Sequence, residues 1–233
     1  MTTDDTTDAG TAGGPRPRVC ILHTVAALPA SFEPLLREEA PHVRAYHVVD
    51  ESLLADTVRH GRLPRTTARL AAYVTHAEAA GADAVLVTCS SIGPAAEAVR
   101  ALTGIPVLRV DEPMAAEAVR RGPRICVLAT LESTLVPTAE LIRRHAAAGG
   151  VRATVTTTTC PGAYDARQAG EGEEHDRLIA EEVRRMAPSH DVLVLAQASM
   201  AAAVGTLPGG GPGVPVLTSP RSGVAQLADV AAQ

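Results

Sequence analysis

Short apolar runs alternate with longer amphipathic stretches along most of this chain. The apolar runs have the length of strands, and the stretches between them place apolar residues at helical spacing. The predicted strands are Val19–Thr24, Val43–Val48, Ala84–Thr88, Val107–Val110, Ile125–Thr130, Arg152–Thr157, Val192–Ala196 and Pro215–Thr218. The clearest predicted helices are Arg65–Ala80, Pro94–Leu102, Thr138–Ala148 and Glu173–Met186. This alternation is typical of an α/β fold in which helices cover a parallel sheet.

The second half of the chain repeats the pattern of the first. Residues 18–24 (RVCILHT) match residues 124–130 (RICVLAT), and residues 83–92 lie over residues 191–200 without a gap. A Gly-X-Pro-Val-Leu string follows in each half, at residues 104–108 and 213–217. Ordered matches at a nearly constant offset indicate an internal duplication. We therefore predict two pseudo-symmetric lobes, each with a four-stranded parallel sheet flanked by helices.

The duplication also suggests where the lobes begin and end. We assign residues 18–111 together with residues 215–233 to the first lobe, and residues 112–214 to the second. Residues 1–17 are rich in Thr, Asp, Gly and Pro and contain almost no apolar side chains. A segment of that composition is expected to be a disordered tail.

Composition excludes several kinds of chemistry. The chain has 21 basic side chains other than histidine and none is a lysine, so neither a pyridoxal phosphate Schiff base nor a Walker-type phosphate loop is available. A net charge of -5 without a basic cluster argues against nucleic acid as a partner. No apolar run is long enough to span a membrane, and the four cysteines lack metal-ligand spacing. We expect a cytoplasmic protein that needs neither cofactor nor metal and that does not bind membranes.

Cys89 is the strongest candidate for a chemical role. It follows a predicted apolar strand and precedes a predicted helix that Ser90 and Ser91 open. A helix N-terminus favours negative charge, so we expect the pKa of this thiol to lie below its ordinary value. Cys20 and Cys126 lie inside apolar strands at equivalent positions of the two halves, and we expect both to be core residues.

Three segments carry a family resemblance. They are residues 88–93 (TCSSIG), residues 111–113 (DEP) and residues 129–134 (ATLEST). The pattern resembles the aspartate/glutamate/hydantoin racemase superfamily, in which a strand ends in a cysteine and a small polar pair. The resemblance implies a cofactor-independent racemase or isomerase that acts at the α-carbon of a small amino acid or other carboxylate through a cysteine acid/base. An assembly of identical chains is compatible with this assignment.

The carboxyl ends of the duplicated strands should converge on one cleft. Hydroxyls, amides and helix N-termini suit a substrate carboxylate there. The residues that we expect to bind substrate are Thr24, Ser90, Ser91, Thr130, Ser133, Thr134, Gln197 and Ser199. His23, at the end of the first strand, and Cys160, after the sixth, are further candidates for proton transfer.

The chain departs from the family at one position. The internal alignment puts Gln197 opposite Cys89, where the family typically has a second cysteine, and an amide does not exchange a proton at neutral pH. Three interpretations stay open. Cys89 could act in a racemase or isomerase with His23 or Cys160 as its partner. The chain could be a single-cysteine decarboxylase of a malonate-like acid. It could also be a noncatalytic carboxylate-binding protein.

Overall fold

The computed structural model describes residues 16–61, 64–207 and 211–231. The predicted tail at residues 1–17 lies almost wholly outside these ranges. The strands are β1 (Arg18–His23), β2 (Arg44–Val49), β3 (Ala84–Val87), β4 (Val107–Arg109), β5 (Arg124–Ala129), β6 (Thr154–Thr159), β7 (Val192–Leu195) and β8 (Val216–Thr218). The α-helices are α1 (Leu28–Glu39), α2 (Glu51–His60), α3 (Pro64–Ala79), α4 (Gly93–Val99), α5 (Glu112–Arg121), α6 (Glu132–Ala148), α7 (Ala163–Gln168), α8 (Gly172–Met186) and α9 (Ser219–Ala225).

The strands form two parallel sheets with the same strand order. The first sheet runs β2-β1-β3-β4 and the second runs β6-β5-β7-β8. This confirms the predicted α/β fold with two four-stranded parallel sheets. Equivalent aspartates also make the same contact in both copies, because Asp83 accepts a hydrogen bond from the backbone N–H of Arg18 and Asp191 accepts one from Arg124. The shared order and this shared contact agree with the duplication read from the sequence.

The central strands are buried on both faces. In β1 and β5 every residue after the first arginine is buried, and β3 and β7 are buried throughout. Parallel strands of this kind need helices on both faces of the sheet, which explains their continuous runs of Val, Ile and Leu. The edge strand β6 instead reads Thr-Val-Thr-Thr-Thr-Thr and is partly exposed, as the outer position in a sheet allows.

The C-terminal segment contributes to both halves of the molecule. Strand β8 pairs with β7 in the second sheet, with Leu193 opposite Val216. The predicted boundary at residue 215 is therefore wrong for residues 216–218, because a short edge strand joins the sheet with which it forms hydrogen bonds. After β8 the chain returns to the first lobe, where Val224 and Leu227 pack in one apolar cluster with Phe32.

Candidate functional site

The topology of each sheet creates a crevice at one defined place. In the first sheet β1 lies beside β3, and the chain leaves β1 towards β2 but leaves β3 towards β4. Connections that diverge in this way open a crevice beyond the carboxyl ends of the two strands, where ligands bind in parallel sheets. Thr24 follows β1 and Cys89 follows β3 at this crevice. Thr130 and Gln197 take the equivalent places after β5 and β7 in the second sheet.

The chain makes the same turn after β3 and after β7. Cys89 and Gln197 both have extended backbone angles, and each precedes a 3₁₀ segment, Ser90–Ile92 or Ala198–Thr206. The backbone N–H three residues further on donates to the carbonyl of Cys89 at 3.3 Å and to that of Gln197 at 2.9 Å. The two side chains therefore occupy equivalent positions on opposite sides of the interlobe crevice.

Hydrogen bonds join the two lobes directly at these turns. The Ser90 hydroxyl donates to the carbonyl oxygen of Ala196 at 2.9 Å. Ser91 Oγ lies 2.9 Å from Thr134 Oγ1 and 3.4 Å from Ser133 Oγ, and both of these residues belong to the first turn of α6. Because Ser90 and Ser91 contact the opposite lobe, their hydroxyls fix the position of the Cys89 turn as well as lining the crevice.

Burial raises the pKa of the Cys89 thiol. Hydrogen bonds from the Thr24 side chain, from the backbone N–H groups of Ile92 and Ser91, and from the Ser91 side chain favour the thiolate but do not outweigh the loss of hydration. The prediction of a lowered pKa was therefore wrong. The turn after Cys89 is a single 3₁₀ turn in enclosed surroundings, and burial dominates there. The Cys89 thiol is therefore protonated at neutral pH, and the surrounding hydrogen-bond donors stabilise the thiolate when it forms.

Thr130 fixes the orientation of the Gln197 side chain. The Thr130 backbone N–H donates to Gln197 Oε1 at 2.6 Å, and the Thr130 hydroxyl lies 2.9 Å from the same oxygen. In the first lobe the side chain of the equivalent threonine, Thr24, forms a hydrogen bond with the Cys89 thiol. The strand-end threonines predicted as site residues thus each hold the side chain of the neighbouring strand end.

A small cavity lies between the two turns. We call it the inner cavity; its volume is about 30 Å³, enough for one or two water molecules. Its lining residues are Thr24, Val25, Leu28, Leu54, Thr88, Cys89, Ser90, Ser91, Thr134, Gln197, Ala198 and Ser199. None of them carries a charge at neutral pH, so an anion in this cavity would be stabilised by hydrogen-bond donors alone.

A larger space, the outer cavity, adjoins the inner one and shares Thr24, Gln197 and Ser199 with it. Its volume is about 310 Å³, and Thr130 lies in its wall. Other residues of its wall include Glu51 and Leu54 from α2 and Tyr164 and Arg167 from α7, and none of these four was predicted as a site residue. Tyr164 and Arg167 are three residues apart and therefore lie on one face of α7. This spacing is the sequence feature that could have indicated them.

His23 does not line either cavity. Its side chain is fully buried, with its Nδ1 2.9 Å from the Thr88 hydroxyl and its Nε2 2.8 Å from His47 Nδ1. His47 Nε2 lies 3.1 Å from a carboxylate oxygen of Glu33. Burial, together with His47, lowers the pKa of His23 to about 3, so this imidazole is neutral. The structure places His23 behind Thr88, where it positions a residue of the cavity wall and does not face a ligand.

Cys160 lies in the core of the second lobe. It is 2% exposed and packs among Cys126, Leu128 and Ile179. Burial, with smaller contributions from Glu182 and Cys126, raises the pKa of its thiol to about 12. The expectation that its loop reaches the cleft was wrong, because the backbone N–H of Cys160 bonds to Ala129 and draws the residue beneath the sheet end. Cys20 and Cys126 are buried as predicted.

The described residues also bear on metal binding and on membranes. Within residues 16–61, 64–207 and 211–231, no three His, Cys, Asp or Glu side chains lie together in a way that could hold a metal ion. Among the helices in that part of the chain, none combines the length and the apolar character that crossing a membrane requires.

Comparisons with known proteins agree with this geometry. The structure resembles an aspartate racemase from Picrophilus torridus, with a TM-score of 0.68 and 13% identity over 93% of this chain and 96% of that one. It also resembles a glutamate racemase isoform from Bacillus anthracis (TM-score 0.67, 14% identity, 92% and 81% covered). An allantoin racemase from Klebsiella pneumoniae is similar too (TM-score 0.63, 16% identity, 91% and 86% covered).

At these identities the structural likeness establishes the fold alone. No curated protein matches the chain by sequence. A model of the Asp/Glu/hydantoin racemase family, however, matches residues 20–227, which is most of the chain and includes both strand-end turns. The chain therefore belongs to the Asp/Glu/hydantoin racemase family.

Proposed function

We propose that this protein is a cofactor-independent racemase or isomerase that transfers a proton between Cys89 and the α-carbon of a small carboxylate. One observation carries the proposal. Within the described part of the chain, Cys89 is the single thiol that lines the interlobe cavity, and donors from Thr24 and Ser91 surround it. A thiol between two lobes can exchange a proton with carbon while water is kept away.

The contacts of Cys89 support an acid/base role over a purely structural one. The three other cysteines are at most 2% exposed and lie in apolar clusters, whereas Cys89 is half-buried and lines the inner cavity. The hydrogen bonds around it favour the thiolate, so they stabilise the species that forms when the thiol donates its proton. Cys20 and Cys126 each have one such side-chain donor, Tyr46 or Thr156, whereas four hydrogen bonds act on Cys89.

The neutral, hydroxyl-rich wall of the inner cavity supports a carboxylate as the substrate. Gln197 and Ser199 in this wall offer donors without adding charge. The inner cavity is too small for an amino acid, so a substrate extends into the outer cavity or enters when the lobes move apart. In the outer cavity Arg167 makes no ion pair with the described residues and is available to a second anionic group.

Decarboxylation of a malonate-like acid is the second candidate, and the protonation state of Cys89 favours it. A buried thiol with a raised pKa is protonated at rest. Loss of carbon dioxide leaves an electron pair on the α-carbon, and one S–H group then suffices to protonate it. Racemisation instead requires proton exchange on both faces of the carbon, and the cavity presents a second titratable thiol from neither Cys160 nor Cys126.

Incubation in deuterated water distinguishes these reactions. The protein is supplied with L- and D-aspartate, L- and D-glutamate, allantoin and methylmalonate. We expect deuterium at the α-carbon with loss of chirality for a racemase substrate, and carbon dioxide release with one deuterium in the product for a decarboxylase substrate. Binding without either reaction would indicate a noncatalytic carboxylate-binding protein. It would contradict the proposal, as would turnover that Cys89→Ser leaves unchanged.

A further inference from the structure

The orientation of the Gln197 carboxamide is determined by its partners. A backbone N–H can only donate, and that of Thr130 points at the Gln197 side chain at 2.6 Å. The atom that receives it must be the oxygen, because an amide nitrogen has no lone pair for this purpose. If the amide were reversed, its Nε2–H group would face the Thr130 N–H group, and neither donor would have an acceptor. The Nε2 end of Gln197 therefore points away from Thr130.

The two hydrogens on Gln197 Nε2 have no acceptor among the described residues, and the side chain lines both the inner and the outer cavity. Other donors of the inner cavity are already in use. The Ser90 hydroxyl donates to Ala196, the Ser91 and Thr134 hydroxyls bond to each other, and the Thr24 hydroxyl contacts Cys89. The Gln197 amide thus supplies donors that a ligand in the cavities can use, together with the hydroxyl of Ser199.

Gln197 is also placed where charge develops in the proposed reaction. It is the pseudo-symmetric equivalent of Cys89, so a ligand between the turns has the thiol on one side and the amide on the other. When the α-carbon loses a proton or carbon dioxide, the electron pair left behind delocalises into the neighbouring carboxylate. Negative charge then accumulates on the carboxylate oxygens, where fixed N–H donors are most effective.

We propose that Gln197 is a catalytic hydrogen-bond donor that binds the substrate carboxylate and stabilises the enolate-like oxygen. This inference rests on the proposed function. The cleaved bond is Cα–H or Cα–CO₂, and its electron pair becomes the carbon–carbon double bond of the enolate. Proton transfer to or from carbon involves the Cys89 sulfur, while Gln197 keeps its protons throughout. The second turn therefore stabilises negative charge and does not supply a second acid/base.

The variants Gln197→Glu and Gln197→Met test the donor role. Gln197→Glu keeps an oxygen for the Thr130 N–H but replaces both free donors with an acceptor. Gln197→Met removes the donors at a similar length without adding charge. Binding of malonate, measured by calorimetry at neutral pH, should weaken about 10- to 100-fold in each variant. The catalytic constant should fall about 100-fold or more on any substrate that the wild type turns over.

A charge change near the site is the matched control. Ala27 is exposed at the N-cap of α1 and lines neither cavity, so Ala27→Glu adds the same charge near the site without removing a donor. It should bind malonate within about threefold of the wild type, in keeping with a screened surface charge. Far-ultraviolet circular dichroism and the melting temperature show whether each variant is folded, and Gln197→Met keeps the test available if Gln197→Glu is not.

The outcomes separate this inference from the proposed function when binding is also measured with Cys89→Ser. Normal malonate binding by both Gln197 variants overturns the donor role, even if Cys89→Ser has lost turnover. Weak binding by both variants supports it, even if Cys89→Ser keeps turnover and the proposed function fails. If wild-type protein does not bind malonate at millimolar concentration, the inner cavity is not a carboxylate site and the inference is overturned.

Discussion

The turn after β3 and the turn after β7 have the same backbone and different chemistry. Each begins at a residue with extended angles, each continues as a 3₁₀ segment, and in each a threonine from the neighbouring strand end contacts the first side chain. One turn presents the Cys89 thiol. The other presents the Gln197 amide, whose oxygen accepts hydrogen bonds from Thr130. The comparison shows that a duplicated backbone fixes where two groups face each other, whereas single side chains decide what each group does.

The surroundings of the two turns differ as well. Behind the first turn, Thr88 contacts the neutral imidazole of His23, while the equivalent place behind the second turn holds Ala196 and the apolar Ala129. Gly93 packs against the buried guanidinium group of Arg109 at the first turn, whereas the equivalent position of the second turn holds Ala201. The structure therefore holds the thiol-bearing turn by more specific contacts than its counterpart, and the predictions below test that difference.

The largest expected effect comes from removing the thiol. Cys89→Ser should lower turnover by about 10²- to 10⁴-fold, since a serine hydroxyl is far less acidic and general acid–base groups typically contribute that much. Its melting temperature should stay within a few degrees of the wild type. Cys126→Ser, in the buried strand of the second lobe, is the control. It should lower the free energy of unfolding by about 1–3 kcal/mol and keep activity per folded molecule. Equal turnover in the two variants would remove the distinction between the cysteines.

The glycines of the two segments should respond differently to alanine. A Cβ on Gly93 would lie 2.4 Å from the guanidinium carbon of Arg109, which is buried and paired with Asp111. Gly93→Ala should therefore lower the free energy of unfolding by about 1–3 kcal/mol and displace the Cys89 turn. Gly205→Ala meets nothing within 4 Å and should change stability by less than about 1 kcal/mol. Denaturant titration measures both, and similar losses would contradict the packing argument.

The buried His23 should make stability depend on pH. Burial lowers its pKa in the folded chain from the ordinary value of 6.5 to about 3, so between these values the unfolded chain binds a proton at this site and the folded chain does not. The stability that neutral His23 contributes is complete above pH 6.5. It decreases by about 1.4 kcal/mol per pH unit as the pH falls from about 6.5 to about 3. At pH 5 the wild type should have lost about 2 kcal/mol relative to pH 7 that His23→Gln does not lose. Parallel curves for the two proteins would mean that the pKa of His23 is the same in the folded and the unfolded chain.

A thiol at position 197 tests whether the two turns are equivalent in position. Gln197→Cys places a thiol opposite Cys89 in the same turn. On a substrate that the protein accepts, the ratio of chirality loss to deuterium incorporation should rise, because protons can then exchange from both faces. Activity as a whole should fall, because the amide donors are lost. Ser199→Cys, two residues further along the second turn, is the control and should leave the ratio unchanged. An unchanged ratio in Gln197→Cys would show that position 197 does not face the reacting carbon.

Much of the fold followed from the pattern of the chain. All eight strands lie within about two residues of their predicted positions, because short apolar runs between helical stretches leave few alternatives. Cys89 was found for a related reason, since a thiol after a buried strand lies at the carboxyl edge of a parallel sheet. Val216–Thr218 was assigned to the wrong lobe, because a three-residue edge strand contains no information about which sheet it joins.

Parts of the site could not be predicted because they depend on packing between distant elements. Leu54, Tyr164 and Arg167 reach the crevice because α2 and α7 approach it in space. His23 is the last residue of β1 and Cys160 follows β6, yet both side chains turn into the protein interior. The direction of the Cys89 pKa shift also depends on how completely the surrounding side chains exclude water.

The sequence by itself determined the duplicated α/β fold, the absence of lysine chemistry, and the pairing of Cys89 with Gln197 at equivalent strand ends. These follow from local periodicity and from the repeat, which tertiary contacts do not alter. Only the tertiary structure decided the protonation state of the thiol, the direction in which the Gln197 amide points, and the separation of His23 and Cys160 from the cavity. Each of these depends on burial and on partners from distant strands, such as Thr130 for Gln197, and a chain read in one dimension does not specify them.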